Sequence, residues 1–120
     1  QNQQYDVFFG VDEMILSALA LGSYGAVGST YNFISDLYHQ LIEAFGRGDH
    51  ETAAYLQEKA VEYINVLAKF GYSAASKAVM KMQGVACGTV RLPFRNISDN
   101  QVLELEKELQ QIGFFEFAGV

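Results

Sequence analysis

Two short stretches hold the residues best suited to chemistry, and each sits where an apolar run gives way to a helical pattern. The first is Gly10-Val11-Asp12-Glu13 and the second is Gly25-Ala26-Val27-Gly28-Ser29-Thr30. Adjacent carboxylates accept hydrogen bonds and a serine hydroxyl both donates and accepts, so the set suits a ligand rich in hydroxyl groups. Gly28 has no Cβ and lets a ligand approach the backbone closely. The same residues also have ordinary structural uses. Asp12 stands where a helix N-cap belongs, with Glu13 in the first turn, and carboxylates there satisfy free N–H groups and complement the helix dipole. Gly28-Ser29 is a common tight-turn pair, and it lacks the lysine and the spacing of a phosphate-binding loop. Both readings stand at this level.

Other reactive side chains are less well placed. His39 and His50 have no partners at metal-ligand spacing and read as structural, so no metal site is expected. Cys87 reads as a small loop hydrophobe, with no nearby base to activate it. As the only cysteine it cannot form an internal disulfide. Nothing therefore requires an oxidising compartment, and a cytoplasmic location is the expectation. Arg91 and Arg95 flank Pro93 and can pair with carboxylates. Lys77 and Lys81, four apart, read as a solvated helix face.

The elements that would position these residues follow from apolar spacing. Val7-Phe8-Phe9, closed by Gly10, reads as a buried strand, and Ala26–Gly28 as a second. Between them Ile15, Leu16, Leu19 and Ala20 mark a helix that Gly22 ends. Ile34, Leu37, Tyr38, Leu41, Ile42 and Phe45 share one face of the next helix. A long helix follows, capped by Asp49 and carrying Leu56, Ala60, Val61, Ile64, Leu67 and Ala68. Gly71 closes it, and Ser73 is expected to cap a shorter helix running to about Met82. Residues 84–96 read as irregular. Ser98 and Gln101 have capping-box spacing and open a final helix with Val102, Leu105, Leu109 and Ile112 on one face. Phe114, Phe115 and Phe117 are too apolar to be left in water and should dock.

A strand–helix–strand unit implies a parallel pair joined by a crossover helix. Two parallel strands alone leave two open edges, so they read as part of a larger sheet. The composition agrees with a globular piece of that kind: 120 residues, half of them hydrophobic, with one proline. The net charge of −6 and the scattering of the eight basic residues argue against a nucleic-acid partner. The longest apolar stretch, Met14–Leu21, is too short to span a bilayer, so no membrane role is expected. The polar start from Gln1 to Asp6 lacks the basic segment of a signal peptide.

Phe9-Gly10-Val11-Asp12-Glu13, followed by Gly25-Ala26-Val27-Gly28-Ser29-Thr30-Tyr31-Asn32, closely resembles the N-acetylneuraminate lyases. These belong to the pyruvate-dependent class I aldolases that include dihydrodipicolinate synthase. Lys77-Ala78-Val79-Met80 and Arg91-Leu92-Pro93 extend the resemblance over nearly the whole chain. It implies an α/β fold: the C-terminal part of a (β/α)8 TIM barrel, with strands seven and eight and their helices in residues 1–48. A C-terminal helical part, the three-helix extension, would fill residues 49–120. It also implies that Gly10, Asp12, Glu13, Gly28 and Ser29 contact the hydroxyl-bearing part of sialic acid or a related sugar, with no cofactor. The reaction of the resembled enzymes is reversible cleavage to N-acetylmannosamine and pyruvate through a Schiff-base lysine on strand six. No residue of this chain matches that lysine, and Lys59, Lys69, Lys77, Lys81 and Lys107 all fall in the helical part. The expectation is therefore a chain with no catalytic residue of its own. It would be completed by the N-terminal part of the barrel, in a homo-oligomer once complete, since a whole barrel takes about 250 residues. The alternative is a lectin-like sialic-acid-binding protein derived from the lyase fold.

Overall fold

Apolar side chains at three- and four-residue spacing decide most of the architecture. A computed structural model describes residues 5–118, and its regular elements are helices. In chain order they are α1 (Ile15–Ala20), α2 (Ser35–Gly46), α3 (His50–Lys69), α4 (Tyr72–Met82), α5 (Asp99–Gln111) and the single turn α6 (Phe114–Phe117). The polar residues Gln1 to Gln4 lie outside the described residues.

The 20-residue helix α3 is the central beam. Ala53, Leu56, Ala60, Tyr63, Ile64, Val66 and Leu67 are buried along it, and it packs against α1, α2, α4 and α5. A stripe this wide is what a helix needs to face several neighbours at once. Leu37, Tyr38, Leu41 and Ala44 of α2 supply the opposing surface. Asp49 caps α3 as its spacing predicts, accepting from the Thr52 N–H at 3.1 Å. Hydrogen bonding by Thr52, through its side chain first and its backbone N–H second, holds the Asp49 carboxyl below its ordinary range. Lys69 at the far end reaches Glu108 of α5 at 2.7 Å.

The aromatic tail docks as expected. Phe114 is fully buried, edge-to-face with Tyr63 at 5.2 Å and 6.3 Å from Phe33. The capping box at the start of α5 forms in full, with Ser98 accepting from the Gln101 N–H and Gln101 accepting from the Ser98 N–H. Gly22 follows α1 with φ +83, the left-handed conformation that glycine adopts at no steric cost. Residues 84–96 hold neither helix nor strand, as read from sequence.

Two expectations are corrected. Ser73 does not cap α4. Gly71, at φ 82, turns the chain straight from α3 into α4, so the helix begins at Tyr72 and the Ala74 and Ala75 amides donate to the Gly71 carbonyl. The second concerns the strands. Among the described residues no strand forms, and Val7–Phe9 and Ala26–Gly28 meet at one parallel bridge between Phe9 and Ala26. It is made by Phe9 N–H to Gly25 C=O at 3.0 Å and Val27 N–H to Phe9 C=O at 2.9 Å. A parallel pair with no further strand on either edge has no neighbours to extend its ladder. Val7, Phe8 and Val27 are accordingly exposed, at 74, 59 and 69 %. Among the described residues no helix is long and apolar enough to cross a membrane.

Candidate functional site

The parallel bridge brings the two candidate stretches side by side. Beyond Phe9 the chain runs through Gly10 into a 3-10 turn at Asp12–Met14, and beyond Ala26 it runs through Gly28 into a second at Thr30–Asn32. Two loops thus leave the same end of the pair, with Asp12 and Thr30 facing each other across the gap.

Asp12 does not serve as the N-cap that its sequence position suggests. Val11 occupies the cap position, with no side-chain cap bond. The Asp12 side chain points across to the other loop instead. Its Oδ2 accepts from the Thr30 backbone N–H at 3.1 Å and from the Thr30 hydroxyl at 2.5 Å. The residue is only 6 % exposed, a degree of burial that a carboxylate tolerates when it is hydrogen-bonded. Thr30 Oγ1 also lies 2.9 Å from the Tyr38 hydroxyl. Thr30 has one hydroxyl proton, and the carboxylate is the stronger acceptor. Tyr38 therefore donates to Thr30 and Thr30 donates to Asp12. The second carboxylate oxygen, Oδ1, is buried without a partner, as is the Tyr31 hydroxyl.

Gly28 has a structural reason for being glycine beside the one inferred from sequence. A Cβ there would collide with the Asp12 carboxylate itself, so the missing side chain makes room for Asp12. Ser29 is exposed, and its Oγ lies 2.7 Å from the Tyr72 hydroxyl of α4. Asn32 donates to the Ser29 carbonyl at 2.9 Å and closes that turn. Glu13 and Gly10 are exposed beside Asp12.

Electrostatics match the hydroxyl-rich character. Burial, followed by the nearby Asp12 charge, pushes the Tyr31 phenol well above its ordinary range. Burial also raises Tyr38, with the Asp12 charge adding to it. Tyr72 is raised too, chiefly by burial. All three therefore stay neutral at physiological pH and act as hydroxyl donors and acceptors beside the carboxylates. The lysines are engaged elsewhere or exposed. Lys59 pairs with Glu62 at 2.7 Å, and that bond raises its pKa, opposite to what an amine nucleophile needs. Lys69 pairs with Glu108, Lys77 donates to the Cys87 carbonyl at 2.8 Å, and Lys81 and Lys107 are exposed. Arg91, Arg95, His39, His50 and Cys87 are exposed as well, and among the described residues no group of three His, Cys, Asp or Glu could hold a metal.

Of the residues singled out from sequence, Gly10, Asp12, Glu13, Gly28 and Ser29 fall on the two adjoining loops. Thr30, part of the second stretch but without a role of its own there, joins them, as do Tyr38, Tyr72 and Gln57, which the sequence does not single out as site residues. Tyr38 reads as one more member of the apolar stripe of α2. Gln57 reads as a polar residue beside the stripe of α3, and the signal was its place next to the core residue Leu56.

Residues 1–112 match the model of the dihydrodipicolinate synthetase family. The chain belongs to that family. Among curated relatives, the N-acetylneuraminate lyase of Rattus norvegicus is 37% identical over 120 residues, which cover 98% of this chain and 38% of the rat protein. Among solved structures, Proteus mirabilis N-acetylneuraminate lyase superposes with a TM-score of 0.89 at 38% identity, over 95% of this chain and 39% of that one. The sialic acid aldolase of Aliivibrio salmonicida gives 0.87 at 39% identity, over 92% and 37%. These structural neighbours are TIM-barrel lyases, and the family member described here spans less than two-fifths of their length.

Proposed function

We propose that the chain is the C-terminal portion of an N-acetylneuraminate lyase, an enzyme that reversibly cleaves sialic acid to N-acetylmannosamine and pyruvate. In this reading residues 1–48 are the last two β/α units of the barrel and residues 49–120 its helical extension. Gly10, Asp12, Glu13, Gly28 and Ser29 bind the hydroxyl-bearing part of the sugar. The Schiff-base lysine comes from the preceding part of the barrel, which is the partner of this chain, and the complete enzyme is a cytoplasmic homo-oligomer.

The observation that carries the reading is the junction between the loops. A buried carboxylate, held by Thr30 through one oxygen, locks the two loops together beside the exposed Glu13 and Ser29 at the end of a parallel pair, where β/α folds bind ligands. The exposed Glu13 carboxylate accepts and the Ser29 hydroxyl both donates and accepts, which suits sugar hydroxyls. The exposed Val7, Phe8, Val11 and Val27 support a covering partner, because an apolar surface at an unfinished sheet edge is otherwise an association liability.

Titration of the isotope-labelled chain with N-acetylneuraminate, followed by amide NMR shifts, tests the site. Shifts concentrated at Gly10, Glu13, Gly28 and Ser29, with weaker binding in Asp12→Ala and Glu13→Ala, are the expected result. Unchanged affinity in both variants would sink the site assignment.

A further inference from the structure

Gln57 of α3 grips the turn that carries Asp12 and Glu13 at two backbone points. Its Oε1 accepts from the Leu16 N–H at 3.0 Å, and its Nε2 donates to the Asp12 carbonyl at 3.2 Å. Only one orientation of the amide satisfies both groups, because an N–H needs an acceptor and a carbonyl needs a donor. The grip bridges 41 to 45 residues of sequence.

The gripped turn has no cap of its own. Neither Val11, before the 3-10 turn, nor Met14, before α1, makes a side-chain cap bond. The free amides at such a start need partners, and α3 supplies one from outside. Gln57 adjoins Leu56 and sits one turn from Ala60, both core residues, so the backbone that carries it is fixed by packing. Asp12 is therefore held from two sides: Gln57 holds its carbonyl and Thr30 holds its carboxylate.

We propose that Gln57 is a positioning residue for sugar binding. It sets the height and tilt of the Asp12–Met14 turn, so that the exposed Glu13 carboxylate meets the ligand beside the anchored Asp12. This rests on the sugar-binding reading above, and it couples the helical part of the chain to the binding loop.

Gln57→Met keeps the length of the side chain and removes both hydrogen bonds. Measured on the full chain by NMR-detected hydrogen exchange, it should speed exchange of the Leu16 amide about fivefold, the loss of one ordinary hydrogen bond. The Ala60 and Leu67 amides should keep their rates. The dissociation constant for N-acetylneuraminate should rise by about the same factor. Glu13→Ala should weaken binding less in the Gln57→Met background than in the unaltered chain, because coupled residues are not additive. Gln57→Glu keeps the acceptor for Leu16 but not the donor to Asp12, and should fall between the two. Unchanged Leu16 exchange overturns the grip. A full Glu13→Ala effect in the Gln57→Met background overturns the positioning role. An unaltered chain that binds no sugar overturns the sugar-binding reading and the positioning role with it. That failure is told apart by appearing before any change at Gln57.

Discussion

Asp12 and Thr30 lie eighteen residues apart in the chain, yet the Asp12 carboxylate takes both the backbone amide and the hydroxyl of Thr30. This pairing locks together the two loops that leave the parallel bridge, and it turns a residue of capping type into the anchor of a polar site. The hydroxyl of Tyr38 extends the chain of bonds into α2.

Thr30→Val keeps the shape and removes the hydroxyl. The carboxylate retains the backbone amide but loses its shorter bond, and the buried Tyr38 hydroxyl loses its acceptor. A stability loss of about 1–3 kcal/mol is expected in urea denaturation, as for buried polar groups left unpaired. Sugar affinity should fall with it.

Gly28→Ala forces a methyl group into the Asp12 carboxylate. Overpacking of this kind costs about 1–3 kcal/mol, readable as a lower midpoint in urea. In an Asp12→Ala background the same substitution should cost much less, since the colliding atoms are gone and contacting residues couple.

Local chemistry made most of the helices legible. Asp49, Ser98 with Gln101, Gly22 and the Phe114 tail each signal through residue type at short range, and each does what its type suggests. Asp12 was ambiguous because a helix cap and a ligand-binding carboxylate use the same side chain at the same place. The deciding partner, Thr30, is remote in sequence, as are Tyr72 for Ser29 and Gln57 for the Asp12 carbonyl. The apolar runs at Val7–Phe9 and Ala26–Gly28 were visible, but a ladder depends on neighbouring strands that no local pattern supplies. Ser73 does not cap α4 because Gly71, by taking positive φ, starts the helix before the serine is reached.

The phenols of Tyr31, Tyr38, Tyr63 and Tyr72 are raised above their ordinary value of 10.0, in each case chiefly by burial. The unfolded chain releases these protons near pH 10 while the folded chain holds them longer. Their contribution to stability is therefore complete below that pH and is lost as pH rises through and above it. Thermal melts followed by circular dichroism should hold steady up to about pH 9 and fall steeply beyond pH 10.

Phe114→Ala removes a fully buried ring from between Phe33 and Tyr63. A loss of about 3–5 kcal/mol is expected from the cavity, measured by chemical denaturation. Amides of α5 and α6 should lose protection more than those of α2, because the tail packs at the α5 end of the molecule.

The most direct test of the assignment as a lyase portion is borohydride trapping with pyruvate, followed by the intact mass of every polypeptide in the denatured sample. The expected result, with the rest of the barrel present on a separate polypeptide, is a pyruvate adduct on that polypeptide and an unchanged mass for the chain described here. An adduct on this chain would contradict the placement of the Schiff-base lysine outside it, and no adduct on either would contradict the lyase assignment itself.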